Sequence, residues 1–233
     1  MINIVMTVRD RPQHTMHCCK HLIGAGDNLT IVDDMSQPYT AAVLDTYKDL
    51  FPDKIHVVHN NENLGVGGSK NLGIAESERV FGRRKYIYLS DNDVMFPNRY
   101  QGQLANWLDT LVEAYEFAYQ CKFLLIGGYA HPYNGTNAEY YFGKMSIHEK
   151  NAVDGLSWLL TWDTWDKYGK LMDNARGVRQ SEDWEYCQRI RNDGYRVGVV
   201  YPHVVINNGV VDTFGERIPG AEQVEAIEKA RMT

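Results

Sequence analysis

Residues 86–96 read Tyr-Ile-Tyr-Leu-Ser-Asp-Asn-Asp-Val-Met-Phe. The unbroken apolar run from Tyr86 to Leu89 reads as a strand buried on both faces. It stops in two carboxylates, Asp91 and Asp93, separated by Asn92. At the carboxyl end of a strand in an open α/β sheet, such a pair faces the crevice where ligands bind. Two hard oxygen donors there suit Mg²⁺ or Mn²⁺ held against a diphosphate. A solvated Asp-Asn-Asp turn is the alternative, and the surrounding sequence weighs against it.

Upstream, strand and helix alternate. Ile2–Val8 is apolar and β-branched, the pattern of a strand. Pro12 opens a helix that the glycines Gly24 and Gly26 close, and Pro38 opens a second that runs to Phe51. Leu29–Val32 and Ile55–His59 are strands, Gly67–Val80 a helix with a glycine-rich start, and Lys85–Leu89 the fourth strand. This order predicts a mainly parallel sheet with helices on both faces. Downstream, a long helix is expected over Arg99–Cys121, where Leu104, Trp107, Leu108, Leu111, Val112 and Tyr115 keep helical spacing. Phe123–Tyr129 and Val197–Tyr201 read as strands, 131–150 as hairpins or loop, Glu182–Asn192 as a helix with Trp184, Cys187 and Ile190 inward, and Gly220–Arg231 as a terminal helix. No repeat or linker interrupts the chain, so one domain is expected over 1–233.

The chain has 233 residues, 44% of them hydrophobic, enough for one sizeable core. Its net charge is −6 and it carries no long Lys/Arg run, so nucleic acid is not favoured as a partner, although a local basic cleft would suffice for one. No apolar run approaches the roughly 18 residues of a membrane span. The amino terminus enters a strand without a leader pattern, and the cysteines, Cys18, Cys19, Cys121 and Cys187, form no Cys-x-x-Cys pair. The expectation is a reduced, cytoplasmic protein.

Four further constellations carry chemistry. The first strand ends in Thr7-Val8-Arg9-Asp10-Arg11 and the second in Val32-Asp33-Asp34. Neighbouring strand ends of that kind offer Asp33 or Asp34 to a base or ribose, and Arg9 or Arg11 to phosphate, with a surface ion pair as the alternative. The run Asn60–Gly73 is glycine-rich and opens a helix whose amides could serve an anion. It is no P-loop, because its order is Gly68-Ser69-Lys70-Asn71, and the first strand lacks the glycines of a dinucleotide fingerprint. Ser181 is a good helix N-cap, and it places Glu182 and Asp183 in a first turn, where the helix dipole favours acids; one of them could act as a general base. His203, after the last strand, could complete a metal site or be structural. His14, His17, Cys18 and His21 share one helical stripe, but ligands from a single helix rarely enclose zinc.

In this order the segments resemble the GT-A glycosyltransferases, family 2-like, over most of residues 1–208. The matching segments are Thr7–Arg11; Val32-Asp33-Asp34-Met35-Ser36; Asn63-Leu64-Gly65 with Lys70-Asn71-Leu72-Gly73; Asp91-Asn92-Asp93; Glu182-Asp183; and Arg189–Tyr195. Lys70 stands where the family usually has arginine, which keeps the charge and loses the bidentate fork. The resemblance implies an α/β, Rossmann-like, mainly parallel sheet with a small mixed C-terminal acceptor part. It also implies a nucleotide-sugar half at 1–96, an acceptor and catalytic half at 97–208, and a tail at 209–233. The donor would be a nucleotide-diphosphate sugar, UDP-sugar foremost, held by Thr7, Arg9, Asp33, Asp34, Asn63, Lys70, Asp91 and Asn92. Mn²⁺ or Mg²⁺ would be held by Asp91, Asp93 and His203. Asp183, with Glu182 as its fallback, would deprotonate an acceptor hydroxyl, inverting the anomeric centre.

The acceptor is left open among a saccharide, a protein hydroxyl and a hydroxymethylated DNA base. Trp158 and Trp162 would stack on a sugar or pack beneath it. Two rival readings are a sugar nucleotidyltransferase, which calls for a glycine-rich loop that Thr7–Thr15 lacks, and a silent nucleotide-sugar-binding module.

Overall fold

Every residue of the first strand, Ile2–Val8 (β1), is buried, because helices cover both faces of the sheet that contains it. Ile4, Met6 and Val8 enter one apolar cluster and Val5 the other, as the two-residue period of a strand requires. The structure, a computed structural model, describes residues 2–96, 107–129, 135–172 and 182–207, together with the backbone of two short strands between 99 and 104.

The amino-terminal part runs α1 (Pro12–Ala25), β2 (Asn28–Asp33), α2 (Pro38–Leu50), β3 (Ile55–His59), α3 (Gly65–Phe81) and β4 (Tyr86–Asp91). A proline opens each of the first two helices, where no intrahelical N–H bond is lost. Strands β3, β2, β1 and β4 lie side by side and parallel. The register aligns Val8 with Asp33 and Thr7 with Asp91, so both acids stand on one carboxyl edge.

Beyond β4 come β5 (Val94–Met95), β6 (Arg99–Tyr100), β7 (Gln103–Leu104), α4 (Trp107–Gln120), β8 (Phe123–Gly127), β9 (Ala138–Phe142), β10 (Met145–Lys150), β11 (Ser157–Thr161), α5 (Trp162–Tyr168), α6 (Glu182–Asn192), β12 (Arg196–Tyr201) and β13 (Ile206–Asn207). The nine-stranded sheet has the order β3-β2-β1-β4-β11-β8-β12-β10-β9. Its second part is mixed: β11 runs antiparallel to β4 and β8, β12 runs parallel to β8, and β10 and β9 alternate. Side chains of α1, α2 and α4 fill one apolar layer, and those of α3 and α6 fill the other.

Two sequence expectations are corrected. The helix expected over Arg99–Cys121 begins at Trp107; Arg99–Tyr100 pairs with Gln103–Leu104 as a small antiparallel ladder. The stretch Arg99–Gln103 carries no apolar stripe to hold a helix on the core. Of the two readings of Trp158, stacking on a sugar gives way to packing: with Leu159 and Leu160 it forms β11 in the middle of the sheet, where burial on both sides demands a continuous apolar run. The 131–150 region yields the β9–β10 hairpin, while Ser181 and the terminal helix at Gly220–Arg231 fall outside the described residues.

The glycine run has a packing role. α3 lies directly on β1 and β2, and a Cβ at Gly73 would run into Val5 Cγ1 and come within 3.0 Å of Val32 Cγ2. Gly73→Ala should therefore destabilise the fold by about 1–3 kcal/mol, lowering the melting midpoint by several degrees. An unchanged midpoint in calorimetry would mean that α3 does not approach the sheet this closely.

Candidate active site

The site forms where β1, β4, α3, α6 and the turn before β11 meet. Thr7 Oγ1 donates to Asp91 Oδ1 at 3.0 Å, and Lys70 Nζ lies 3.0 Å from the same oxygen. Lys70 is 1% exposed. Its Nζ also donates to the Gly155 carbonyl at 2.7 Å. Burial disfavours its charge, yet Asp91, Glu182 and Asp183 outweigh burial and raise its pKa. Lys70 was expected to touch the donor; it sits instead beneath the edge, joining four segments of chain.

Asp93 forms an ion pair with Arg11. Burial, and then the neighbouring Asp91 charge, raise the Asp93 pKa against the opposing pull of Arg11. A cation between these two acids would relieve that crowding. Among the described residues, no hydrogen bond engages Asp91 Oδ2, which leaves a hard donor available. Two carboxylates, with phosphate oxygens and water completing the shell, fit Mg²⁺ or Mn²⁺. His203 does not join them: no three His, Cys, Asp or Glu side chains among the described residues converge on one point. Its ring packs against Tyr129 and Tyr201, with centroids 5.0 and 5.8 Å away. Two residues beyond Pro202 the chain turns to pair Val204 and Val205 with Gly128, which draws the imidazole toward those tyrosines.

Asn92, expected at the donor, is buried, and its amide donates to the Asp10 carbonyl and to Thr15 Oγ1, both at 2.9 Å. The loop it grips is strained at Asp10 and Arg11, with φ of 56° and 54°, and Met35 in the loop after β2 has φ of 63°. Asp10 N donates to Ser36 Oγ at 2.8 Å, and Asp10 Oδ1 accepts from Gln37 N at 2.7 Å, locking the loops after β1 and β2 together. Arg9 lies exposed on this rim.

The two acids after β2 have divided roles. Asp34 turns inward; its carboxylate accepts from Leu64 N at 2.7 Å, Gly65 N at 3.0 Å and Asn60 Nδ2 at 3.2 Å. The anion served by the start of α3 is thus the chain's own Asp34, and Asn63 Oδ1 supports the same turn by accepting from Gly65 N. Asp33 accepts from Ser36 N at 3.0 Å and bonds His59 Nδ1 at 2.7 Å, whose Nε2 reaches Asp45 at 3.1 Å.

On the opposite side, Asp183 Oδ2 accepts from Gly155 N at 3.1 Å, and Asp183 Oδ1 from Trp184 N at 2.7 Å. These bonds orient the carboxylate in the first turn of α6. Burial raises the Glu182 pKa, with Lys70 opposing and Asp183 and Asp91 adding to the rise. Gly155 had no signal in the sequence, because its two partners are distant along the chain.

Neither tryptophan is an acceptor platform. Trp158 is 1% exposed and donates to the Val153 carbonyl. Trp162 is 5% exposed and donates to Asn3 Oδ1, near the amino ends of β1 and β4 and away from the site. Trp184, expected inward, is 47% exposed beside Asp183, since the inward stripe of α6 runs through Tyr186, Cys187 and Ile190. The His/Cys stripe of α1 is packing: Cys18 Sγ donates to the Val94 carbonyl, and His17 and His21 lie against Phe96.

The sequence matches the profile of glycosyl transferase family 2 over residues 4–140. No curated protein sequence matches the chain. Among solved structures, it is similar to the mannosyltransferase PcManGT from Pyrobaculum calidifontis, determined with GDP-Man and Mn²⁺. That likeness has a TM-score of 0.60 and 14% identity, and covers 85% of this chain and 56% of that one. The chain therefore spans little more than half the length of this neighbour. A chain from Bacillus anthracis assigned as a glucose-1-phosphate thymidylyltransferase, with sucrose bound, is similar at a TM-score of 0.52 and 10% identity, over 99% of this chain and 96% of that one. At these identities the likeness is one of fold. No helix among the described residues is long and apolar enough to cross a membrane.

The His59 contacts generate a pH dependence. Partial burial disfavours its charge, but hydrogen bonds to Asp33 and Asp45 prevail and raise its pKa above 6.5. The stabilisation is complete below the unfolded value and is lost as pH rises through the folded one. His59→Leu should cost up to about 1 kcal/mol at about pH 5, given the ring's partial exposure, and less at about pH 9. Urea unfolding with the same penalty at both values would contradict this.

Proposed function

This chain belongs to glycosyl transferase family 2, and from that premise we propose that it moves a sugar from a nucleotide-diphosphate donor to an acceptor hydroxyl with inversion. The observation that carries the reading is the meeting, at one sheet edge, of the Asp91–Asp93 pair with the Glu182–Asp183 pair across Lys70 and Gly155. Residues 1–96 bind the donor and 97–208 supply the acceptor side and the base.

The strained, cross-braced loops after β1 and β2 form a rim that is ready before the donor arrives. Asp33, steadied by His59 and Ser36, addresses the base or ribose, and Arg9 the phosphates. Asp34, Asn63 and Asn92 act behind this surface, fixing the start of α3 and the first loop. Asp91 and Asp93 would hold the divalent cation, with Thr7 and Lys70 setting the orientation of Asp91. The cation, when bound, supplies positive charge against the departing diphosphate. Arg11 exchanges its hold on Asp93 for phosphate as the donor enters.

Asp183 accepts the proton of the acceptor hydroxyl as that oxygen attacks the anomeric carbon from the side opposite the diphosphate. The bond to the diphosphate breaks as the new glycosidic bond forms. Glu182 stays the fallback: consecutive helical side chains diverge by about 100°, so the two acids do not serve one hydroxyl. Trp184, exposed beside Asp183, takes the stacking role first given to Trp158 and Trp162.

Two experiments test the reading. Asp93→Ala should abolish binding of Mn²⁺ with UDP or GDP in calorimetry and leave the circular dichroism spectrum unchanged; excess chelator should abolish turnover of the wild type. Full turnover in chelator would contradict metal dependence. Asp183→Asn should keep nucleotide affinity while transfer falls by about 10²–10⁴-fold, and wild-type product should show the inverted configuration by NMR. Near-normal transfer by this variant would remove Asp183 from the base role.

A further inference from the structure

Gly155 lies in the turn before β11, 85 residues from Lys70 along the chain, yet it touches both halves of the site. Its carbonyl accepts from Lys70 Nζ at 2.7 Å, and its N–H donates to Asp183 Oδ2 at 3.1 Å. The Leu156 carbonyl that follows accepts from Asp91 N at 3.2 Å. Lys70 Nζ is 3.0 Å from Asp91 Oδ1. Hydrogen bonds therefore run without a break from Asp91 through Lys70 and Gly155 to Asp183.

The junction is tight on its Lys70 side. A Cβ on Gly155 would stand 3.0 Å from Lys70 Nζ and 3.4 Å from both Asp183 Cβ and Glu182 Oε1. Lys70 is buried and cannot swing into solvent to make space. A compact ammonium suits this place better than a planar guanidinium would, because its donors point in three directions rather than along one fork. The ammonium also stands among three carboxylates, Asp91, Glu182 and Asp183, whose repulsion would otherwise push the two sides of the site apart.

We infer that Lys70 and Gly155 are positioning residues that fix the base Asp183 relative to the donor-side carboxylate Asp91. This rests on the reading above, in which Asp91 belongs to the donor side and Asp183 takes the proton. Neither residue need touch the substrates. Their effect is on distance: a displacement of about 1 Å between reacting groups costs roughly 10²-fold in rate. Packing alone would predict something else, a loss of stability and of binding together.

The test compares wild type with Gly155→Ala, Lys70→Met and Lys70→Arg. The first readout is calorimetric affinity for Mn²⁺ with UDP or GDP, whichever the wild type binds. The second is kcat for hydrolysis of the corresponding nucleotide sugar, with water as acceptor, and the third is the melting midpoint. Gly155→Ala should bind the nucleotide within about threefold of wild type while kcat falls roughly 10²-fold. Lys70→Met, in which an apolar side chain of similar length replaces the buried cation, should lose kcat at least as far, and Lys70→Arg should recover part of that loss. Wild-type kcat in both Gly155→Ala and Lys70→Met would overturn the inference. So would affinity, midpoint and kcat falling in parallel, which marks a purely structural role, or no advantage of arginine over methionine. Failure of the wild type to bind either nucleotide with Mn²⁺ would instead overturn the functional reading beneath it, and this inference with it.

Discussion

The ammonium of Lys70 cannot be left without partners. Removing an unpaired charge from water costs several kcal/mol, so burying it commits the fold to bring acceptors to it. They come from β4, as Asp91, and from the turn before β11, as the Gly155 carbonyl, with the acids of α6 nearby. Lys70 itself is delivered by α3, which can lie close to the sheet because Gly73 has no side chain. The antiparallel insertion of β11 beside β4 serves the same contact, since it brings Gly155 to the carboxyl edge where β4 ends. One buried charge thus ties the parallel amino-terminal sheet to the mixed part beyond it.

Around that centre the edge is built of carboxylates in distinct states of engagement. Asp34 is consumed by the start of α3, while Asp33 is held by one amide and one imidazole. Asp91 keeps an oxygen that no described residue bonds, and Asp93 is crowded by burial and by Asp91, against which Arg11 and a backbone hydrogen bond do not prevail. A folded chain tolerates such unsettled acids where a cation or ligand completes them, which is how a binding site differs from a solvated turn.

Much of this was legible in the sequence. β3 and α6 fall where apolar period and turn residues put them, because local chemistry sets those ends. The place of Asp91 at the carboxyl edge was legible, because an apolar run that stops in acids marks where a buried strand leaves the sheet. What escaped were relations between distant residues. The unbroken apolar run of β11 has no period to distinguish a central strand from an aromatic platform, so the sequence left Trp158 and Trp162 open between stacking and packing, and burial decides for packing. The Asn60–Gly73 segment carried a true signal, an anion at a helix start, but the anion is Asp34, some 30 residues upstream. Gly155 is one small residue in a turn, and nothing in its neighbourhood announces that Lys70 and Asp183 meet there.

In the proposed function, the carboxyl edge of β4 binds a divalent cation with a nucleoside diphosphate between Asp91 and Asp93, while Lys70 stays buried beneath. Anomalous diffraction from crystals grown with Mn²⁺ and UDP or GDP tests it most directly. One strong manganese peak is expected within about 2.0–2.6 Å of carboxylate oxygen at this pair, with diphosphate oxygens beside it and Lys70 still joining Asp91 to Gly155. A peak centred on the His17–His21 stripe, or a nucleotide bound with no metal at Asp91 and Asp93, would contradict it.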